Sequence, residues 1–159
     1  LRYSHVFNDT DIIKPLTHKV KTVLILLPFD IAGAVELLAL FKKVLDRIDI
    51  GVRILIKCHP DYNSKDIIIA FGRKNWPVQF NIFQGSLEYA LEQATLAIAL
   101  NSSSILEAAV KGIPVIFIGR QTVLNHNPLS EIDLDIVKEC FSDTELVTAM
   151  NKYLSLSVV

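Results

Sequence analysis

Short apolar runs alternate with amphipathic segments along nearly the whole chain, and this alternation restricts the folds open to it. The apolar runs cover residues 22–27, 52–57, 78–83, 95–100 and 114–118, and the segments between them are helical in spacing. Weaker patterns predict an edge strand over 136–141 and a closing helix that begins with a capping box at 142–145. Alternating strands and helices form parallel sheets with right-handed crossovers. The sequence therefore predicts an α/β fold, a Rossmann-like three-layer α/β/α sandwich with a mostly parallel sheet.

Composition excludes several classes of protein. Hydrophobic residues make up 51% of the chain, but no apolar run approaches the roughly 18 residues that span a bilayer. The net charge of −1 gives no support to a nucleic-acid surface. Cys58 and Cys140 have neither disulfide nor zinc spacing, which predicts a reducing compartment and no metal site. We therefore expect a cytoplasmic protein, with any apolar patch docking a further domain or the inner face of the membrane.

The domain boundaries follow from where the pattern is strong. Residues 1–20 are weakly patterned and are predicted to be a linker or entry segment, and residues 21–159 are predicted to form one domain. The polar stretch 119–130, with Asn125-His126-Asn127, is typical of turn chemistry. The chain begins with Leu1 and its only methionine is Met150, so we expect a piece of a longer protein.

The segment 101–115 is the strongest candidate site. Asn101 and three serines, Ser102, Ser103 and Ser104, separate an apolar strand from a predicted helix. Hydroxyls and free backbone N–H groups at such a junction are typical of phosphate sites, although simple N-capping is the alternative. Glu107, one turn into the helix, is placed to bind a sugar hydroxyl or is an ordinary first-turn charge.

A histidine–proline pair marks the end of the second predicted strand. Pro60 cannot continue a β-ladder, so His59 lies at the carboxyl end of that strand, the edge at which open parallel sheets bind ligands. A protonated histidine can stabilise a departing phosphate, whereas the alternative is a histidine that only faces water. Lys57 and Arg120 also lie at strand ends and are candidate phosphate partners, or merely solvated charges.

The pattern Ser-Ser-Ser-x-x-Glu-Ala-x-x-x-Gly-x-Pro-Val at 102–115 resembles the donor-binding signature of GT-B glycosyltransferases. With the preceding His-Pro pair, it is similar to motifs of bacterial sialyltransferases, polysialyltransferases and Kdo-transferring capsule enzymes. The resemblance covers residues 21–154 and implies one half of a GT-B fold. It implies that His59 stabilises the leaving phosphate, that the three serines hold it, and that Glu107 contacts the ribose. The other substrate-binding residues that we predict are Pro60, Asn101 and Arg120.

The resemblance implies the donor-binding domain of a glycosyltransferase in bacterial surface or capsular polysaccharide synthesis. The donor substrate would be a nucleotide-sugar, with a CMP-sugar favoured over a UDP-sugar because of the His-Pro and serine pairing, and no cofactor is implied. The expected partners are a glycan acceptor and an amino-terminal GT-B half. In the sialyltransferase-like members that half carries the catalytic base in an acidic-Gly motif, which this chain lacks, so the chain would be an incomplete transferase.

Other interpretations of the function remain open. UDP-N-acetylglucosamine 2-epimerases share the His-Pro turn and the serine-started helix, but typically have Asp-Ser-Gly-Gly where this chain has Asn101 to Ser104. They also have an Arg-x-x-Thr-Glu-Arg-Pro stretch that does not occur after Gly119. A dinucleotide enzyme is disfavoured by the missing glycine fingerprint. A non-enzymatic Rossmann-like module that binds a nucleotide or a partner is the alternative from another class.

Overall fold

The computed structural model describes residues 20–49, 51–120 and 134–156. Within these ranges the strands are β1 (Thr22–Leu26), β2 (Arg53–Lys57), β3 (Phe80–Ile82), β4 (Leu96–Ala99), β5 (Val115–Ile118) and β6 (Val137–Cys140). The α-helices are α1 (Ile31–Val44), α2 (Ser64–Phe71), α3 (Leu87–Gln93), α4 (Ile105–Val110) and α5 (Asp143–Leu156). The predicted linker at 1–20 lies almost wholly outside these ranges, as does Asn125-His126-Asn127.

The strands form one sheet in the order β3-β2-β1-β4-β5-β6, and every neighbouring pair is parallel. The chain winds outward from β1 to β3 and then returns to pair β4 with the other side of β1. The winding direction therefore reverses between β1 and β4, which is the switch point at which such sheets bind ligands. The predicted α/β, Rossmann-like architecture is confirmed.

Alternating side chains divide the core between the two faces of the sheet. Val23 and Ile25 of β1 face the apolar sides of α1, α2 and α5. Leu24 of β1 and Ala97 and Ala99 of β4 face α3 and α4. Both faces are thus covered, which is why the strands contain almost uninterrupted apolar residues.

Asp30 fixes the start of α1 at the end of β1. Its side chain accepts a hydrogen bond of 2.6 Å from the Gly33 N–H, which makes Asp30 the N-cap of α1. A Cβ at Gly33 would lie 2.8 Å from the Asp30 carboxylate. The absence of a side chain at Gly33 therefore lets the carboxylate lie close to the backbone of the first helical turn.

Two predicted helix starts differ in detail from the structure. Ser104 precedes α4, and its side chain makes no capping hydrogen bond. At α5, Ser142 Oγ accepts from the Glu145 N–H at 3.1 Å, as a capping box requires. The Glu145 carboxylate, however, accepts from the Phe141 N–H at 2.7 Å, one residue before the position that the motif predicts.

None of the helices in the described ranges is both long and apolar enough to cross a membrane.

Candidate functional site

A cavity of about 180 Å³ lies at the carboxyl edge of the sheet, between the ends of β1 and β2, the start of α3 and the turn that precedes α4. It brings the histidine–proline pair and the serine segment together, although they are more than 40 residues apart in sequence. The described residues that line it are Leu26, Leu27, Lys57, Cys58, His59, Pro60, Leu87, Ser102 and Ser104. We call this the serine–histidine cavity.

The turn after β2 holds the imidazole of His59 in place. The Asp61 N–H donates to His59 Nδ1 at 3.3 Å, and an Asp61 carboxylate oxygen lies 3.4 Å from the same nitrogen. With Nδ1 as the acceptor, the proton of the neutral ring lies on Nε2. Protonation at Nδ1 would convert the neighbouring carboxylate into an ion-pair partner, so Nε2 presents an N–H in both charge states.

Tyr62 joins this turn to the loop that follows β1. Its hydroxyl donates to the Pro28 carbonyl oxygen at 2.8 Å, and its ring centroid is 6.5 Å from that of His59. Burial, reinforced by the nearby Cys58 thiol, raises the pKa of the Tyr62 hydroxyl well above its ordinary value. Burial also raises the pKa of Cys58, against the opposing effect of Lys57. Both groups are therefore neutral near pH 7, and neither places a negative charge against the cavity.

The serine turn forms the opposite wall. Asn101 has a positive φ of 55°, a left-handed conformation that asparagine tolerates and that turns the chain sharply after β4. Ser102 is buried, with only 8% of its surface exposed, and Ser104 is half-buried. These two hydroxyl side chains line the cavity, whereas Ser103, between them, is exposed and lies outside the lining.

The remaining predicted site residues lie apart from the serine–histidine cavity. Asn101 and Glu107 are exposed, with Glu107 in the first turn of α4, and neither belongs to the cavity lining. Arg120 follows β5 and makes a bidentate contact with Glu36 of α1, with distances of 3.1 and 2.5 Å. The ligand-binding roles of these residues stay predictions.

A second cavity of about 180 Å³ lies on the other side of the histidine–proline turn. It shares Lys57, Cys58, His59 and Pro60 with the first and continues toward β3 and α2. Its further described lining residues are Tyr62, Asn63, Ser64, Ile82, Phe83 and Gln84. Residues 57–60 are therefore a wall common to two adjacent cavities, and we call the second one the aromatic cavity.

A larger cavity of about 490 Å³ occupies the same edge of the sheet on the α1 and α5 side. Leu37, Leu100 and Ile118 form its apolar floor, and the Glu36–Arg120 pair lies in its lining. This arrangement separates Arg120 from His59 and the serines, which the sequence had grouped as one site. We call it the Glu36–Arg120 cavity.

The sequence analysis singled out neither Leu87 nor Tyr62. Leu87 lines the serine–histidine cavity without belonging to a motif, and the hydrogen-bond partner of Tyr62 is 34 residues away. In the described ranges, no group of three or more His, Cys, Asp or Glu side chains is arranged to hold a metal ion.

This chain is similar in fold to proteins of known structure. No family model matches the sequence, and no curated protein matches it. The structure resembles that of Methanocaldococcus jannaschii UDP-GlcNAc 2-epimerase in complex with UDP-GlcNAc and UDP, with a TM-score of 0.61 and 17% identity over 86% of this chain.

Two further similar structures are transferases of Thermosulfurimonas dismutans. The KpsC β-Kdo 2,4 transferase matches with a TM-score of 0.50 and 12% identity over 87% of this chain. The KpsC β-Kdo 2,7 transferase matches with a TM-score of 0.49 and 18% identity over 82% of this chain. The chain spans 39%, 46% and 42% of the length of the epimerase, the 2,4 transferase and the 2,7 transferase, respectively. The epimerase and the 2,4 transferase are therefore similar to this chain in fold.

Proposed function

We propose that this chain is the nucleotide-sugar-binding domain of a glycosyltransferase, and that the serine–histidine cavity holds the nucleotide phosphate. One observation carries the proposal: His59, Ser102 and Ser104 line a single cavity beside the point where the sheet reverses its winding. An imidazole N–H and two hydroxyls supply donors to phosphate oxygens from opposite walls. The described lining contains no carboxylate that would repel an anion.

The step that these residues would assist is departure of the nucleotide from the sugar. When the glycosidic C–O bond breaks, its electron pair and the negative charge go to the phosphate oxygen. A prepositioned His59 Nε2–H and the serine hydroxyls would stabilise that charge without reorganisation. The acceptor and the general base would come from a further domain, which this chain would need for turnover.

The biological setting is a finer part of the proposal. The fold similarity to a Kdo transferase and the His-Pro and serine motifs support a role in bacterial surface or capsular polysaccharide synthesis, in the cytoplasm at the inner face of the membrane. The glycan acceptor and an amino-terminal GT-B half are the partners that this role requires.

The proposal is tested by thermal unfolding of the chain with CMP, CDP, UMP, UDP and UDP-N-acetylglucosamine. A ligand at 100 times its dissociation constant should stabilise the fold by about 2.7 kcal/mol. His59→Ala and Ser104→Ala should reduce the shift while leaving unfolding without ligand nearly unchanged. A chain that shows no shift with any of these nucleotides, or a shift that persists in both variants, would overturn the proposed site.

Ser103→Ala distinguishes the phosphate site seen in the structure from the one that the sequence motif predicts. The sequence pattern predicts that all three serines bind phosphate, whereas the cavity contains only Ser102 and Ser104. We expect the nucleotide-dependent shift of Ser103→Ala to equal that of the unmodified chain.

An epimerase-like domain is the second candidate function. The TM-score of 0.61 to the UDP-GlcNAc 2-epimerase favours it, while the absent Gly-Gly and Glu-Arg-Pro sequences argue against it. The nucleotide panel distinguishes the two in part, because a response limited to UDP and UDP-N-acetylglucosamine fits the epimerase, whereas a response to CMP or CDP fits the transferase.

A further inference from the structure

Lys57 is a half-buried cation that has no acidic partner in the described ranges. It is the last residue of β2, and its ammonium donates only to the Cys58 carbonyl oxygen, at the long distance of 3.5 Å. The ion pairs of the described residues join Arg47 to Asp143, His59 to Asp61 and Arg120 to Glu36, and none includes Lys57. Lysines that are withdrawn from water are normally paired, so this one is placed to receive an anion.

The position of Lys57 directs it toward the serine–histidine cavity. Leu55, two residues earlier on β2, packs against the α3 and α4 face, and side chains two apart on a strand share a face. Lys57 accordingly lines the serine–histidine cavity, and as part of the common wall it also lines the aromatic cavity.

The described lining residues of the two cavities include basic side chains and no carboxylate. Lys57 and His59 are the basic side chains among the described lining residues of the two cavities, and those linings contain no aspartate or glutamate. The nearby Asp61 contacts His59 Nδ1 and belongs to neither lining. The two cavities therefore offer the Lys57 ammonium and the His59 Nε2–H to one ligand, together with the serine hydroxyls.

We propose that Lys57 binds the second phosphate of a diphosphate-linked nucleotide and so selects a nucleoside diphosphate over a nucleoside monophosphate. This inference rests on the proposed nucleotide-sugar function and sharpens its substrate class. The phosphodiester of a monophosphate-linked sugar carries one negative charge, whereas the diphosphate bridge carries two. The Lys57 ammonium and the His59 Nε2–H, on a wall shared by two cavities, match the second ligand better, in contrast to the CMP-sugar that motif resemblance favours.

Calorimetric titration of the chain tests this inference with six probes, which are UDP, UMP, CDP, CMP, inorganic pyrophosphate and inorganic phosphate. Lys57→Met removes the charge and keeps the length of the side chain, while Lys57→Arg keeps the charge. Lys111→Met makes the same change at the C-cap of α4, at the opposite edge of the sheet. All titrations use one salt concentration, and thermal unfolding checks that every variant is folded.

The expected result is a selective loss. Lys57→Met should lower the affinity for UDP, CDP and pyrophosphate by about tenfold or more, because one charge-assisted hydrogen bond is removed. The affinity for the monophosphates should fall by less than about threefold. Lys57→Arg should retain most of the affinity for diphosphates. Lys111→Met should change neither the diphosphate affinity nor the monophosphate affinity.

Three outcomes would overturn the inference, the proposed function or both. If Lys57→Met lost affinity equally for diphosphates and monophosphates, or lost none, Lys57 would not bind the second phosphate. In that case, nucleotide binding by the unmodified chain would leave the proposed function intact. Pyrophosphate binding that depends on Lys57, without any nucleotide binding, would support the anion site and overturn the proposed function. Failure of the unmodified chain to bind all six probes would overturn both.

Discussion

The serine–histidine cavity and the Glu36–Arg120 cavity lie at the same edge of one sheet but differ in how their charges are balanced. The larger, of about 490 Å³, contains a cation and an anion that already contact each other. The smaller, of about 180 Å³, contains Lys57 and His59 and no carboxylate among its described lining residues. The comparison teaches that volume alone is a poor guide to an anion site, because the larger cavity has the Glu36 carboxylate in its lining beside Arg120 and Lys43, whereas the described lining of the smaller has no carboxylate.

The largest effect should come from placing an acid in the serine–histidine cavity. Ser104→Asp would put a carboxylate beside a bound phosphate, and two like charges 4 Å apart repel by about 4 kcal/mol at an effective dielectric constant near 20. Nucleotide affinity, measured by calorimetry, should fall by at least about a hundredfold. The control is Ser104→Asn, because asparagine has nearly the shape of aspartate without its charge. This variant should lose far less nucleotide affinity.

Two helix caps provide a matched test of the same contrast. Ser86 caps α3 beside the serine–histidine cavity, through a 3.2 Å bond from the Tyr89 N–H, and Ser142 caps α5 beside the Glu36–Arg120 cavity. Ser86→Ala and Ser142→Ala should each lower the free energy of unfolding by about 1 kcal/mol in urea titrations. Only Ser86→Ala should also weaken nucleotide binding, because fraying of α3 moves Leu87. Equal effects of both variants on affinity would remove the distinction between the cavities.

Tyr62→Phe tests whether the histidine–proline turn is held in place for ligand binding. Losing the hydrogen bond to the Pro28 carbonyl should cost about 1 kcal/mol of stability and weaken nucleotide binding a few-fold. Because the pKa of Tyr62 is raised in the folded chain, its contribution is complete below the unfolded pKa of about 10 and is lost as the pH rises further. The variant should therefore lose stability less steeply above pH 10, and an unchanged alkaline slope would contradict this assignment.

The smallest effect should come from the Glu36–Arg120 pair. Glu36 is largely exposed, and exposed ion pairs contribute about 0–1 kcal/mol to stability. Glu36→Gln should therefore change unfolding little, with a difference from the parent that shrinks at high salt. Nucleotide affinity should stay unchanged, whereas a clear loss would mean that Arg120 and its partner belong to the ligand site after all.

Much of the architecture could be predicted because its signals are local. Apolar runs identified the strands, and short polar side chains, Asp30 and Ser86, stand at the observed starts of α1 and α3. The strand predicted at 78–83 is shorter, at Phe80–Ile82, because the Phe80 N–H bonds back to the Pro77 carbonyl in a turn before the strand begins.

The candidate site could be predicted only in part because it depends on distant contacts. The structure brings His59, Ser102 and Ser104 together, as strand order predicts, since the carboxyl ends of parallel strands share an edge. Arg120 satisfied the same rule, yet it is drawn to Glu36, 84 residues earlier in the chain. No local pattern encodes that pairing, nor the alternation that turns Ser103 outward between two lining serines.

The reversal of winding between β1 and β4 has a mechanical consequence for the protein as a whole. The wall at residues 57–60 belongs to the half of the sheet built from β1 to β3, whereas the serine turn belongs to the half built from β4 to β6. A ligand in the cavity would touch both halves and act as a non-covalent cross-link across their seam. Occupancy would then slow the separation of β1 from β4, and amide protons along that strand pair would exchange with solvent as one cooperative unit.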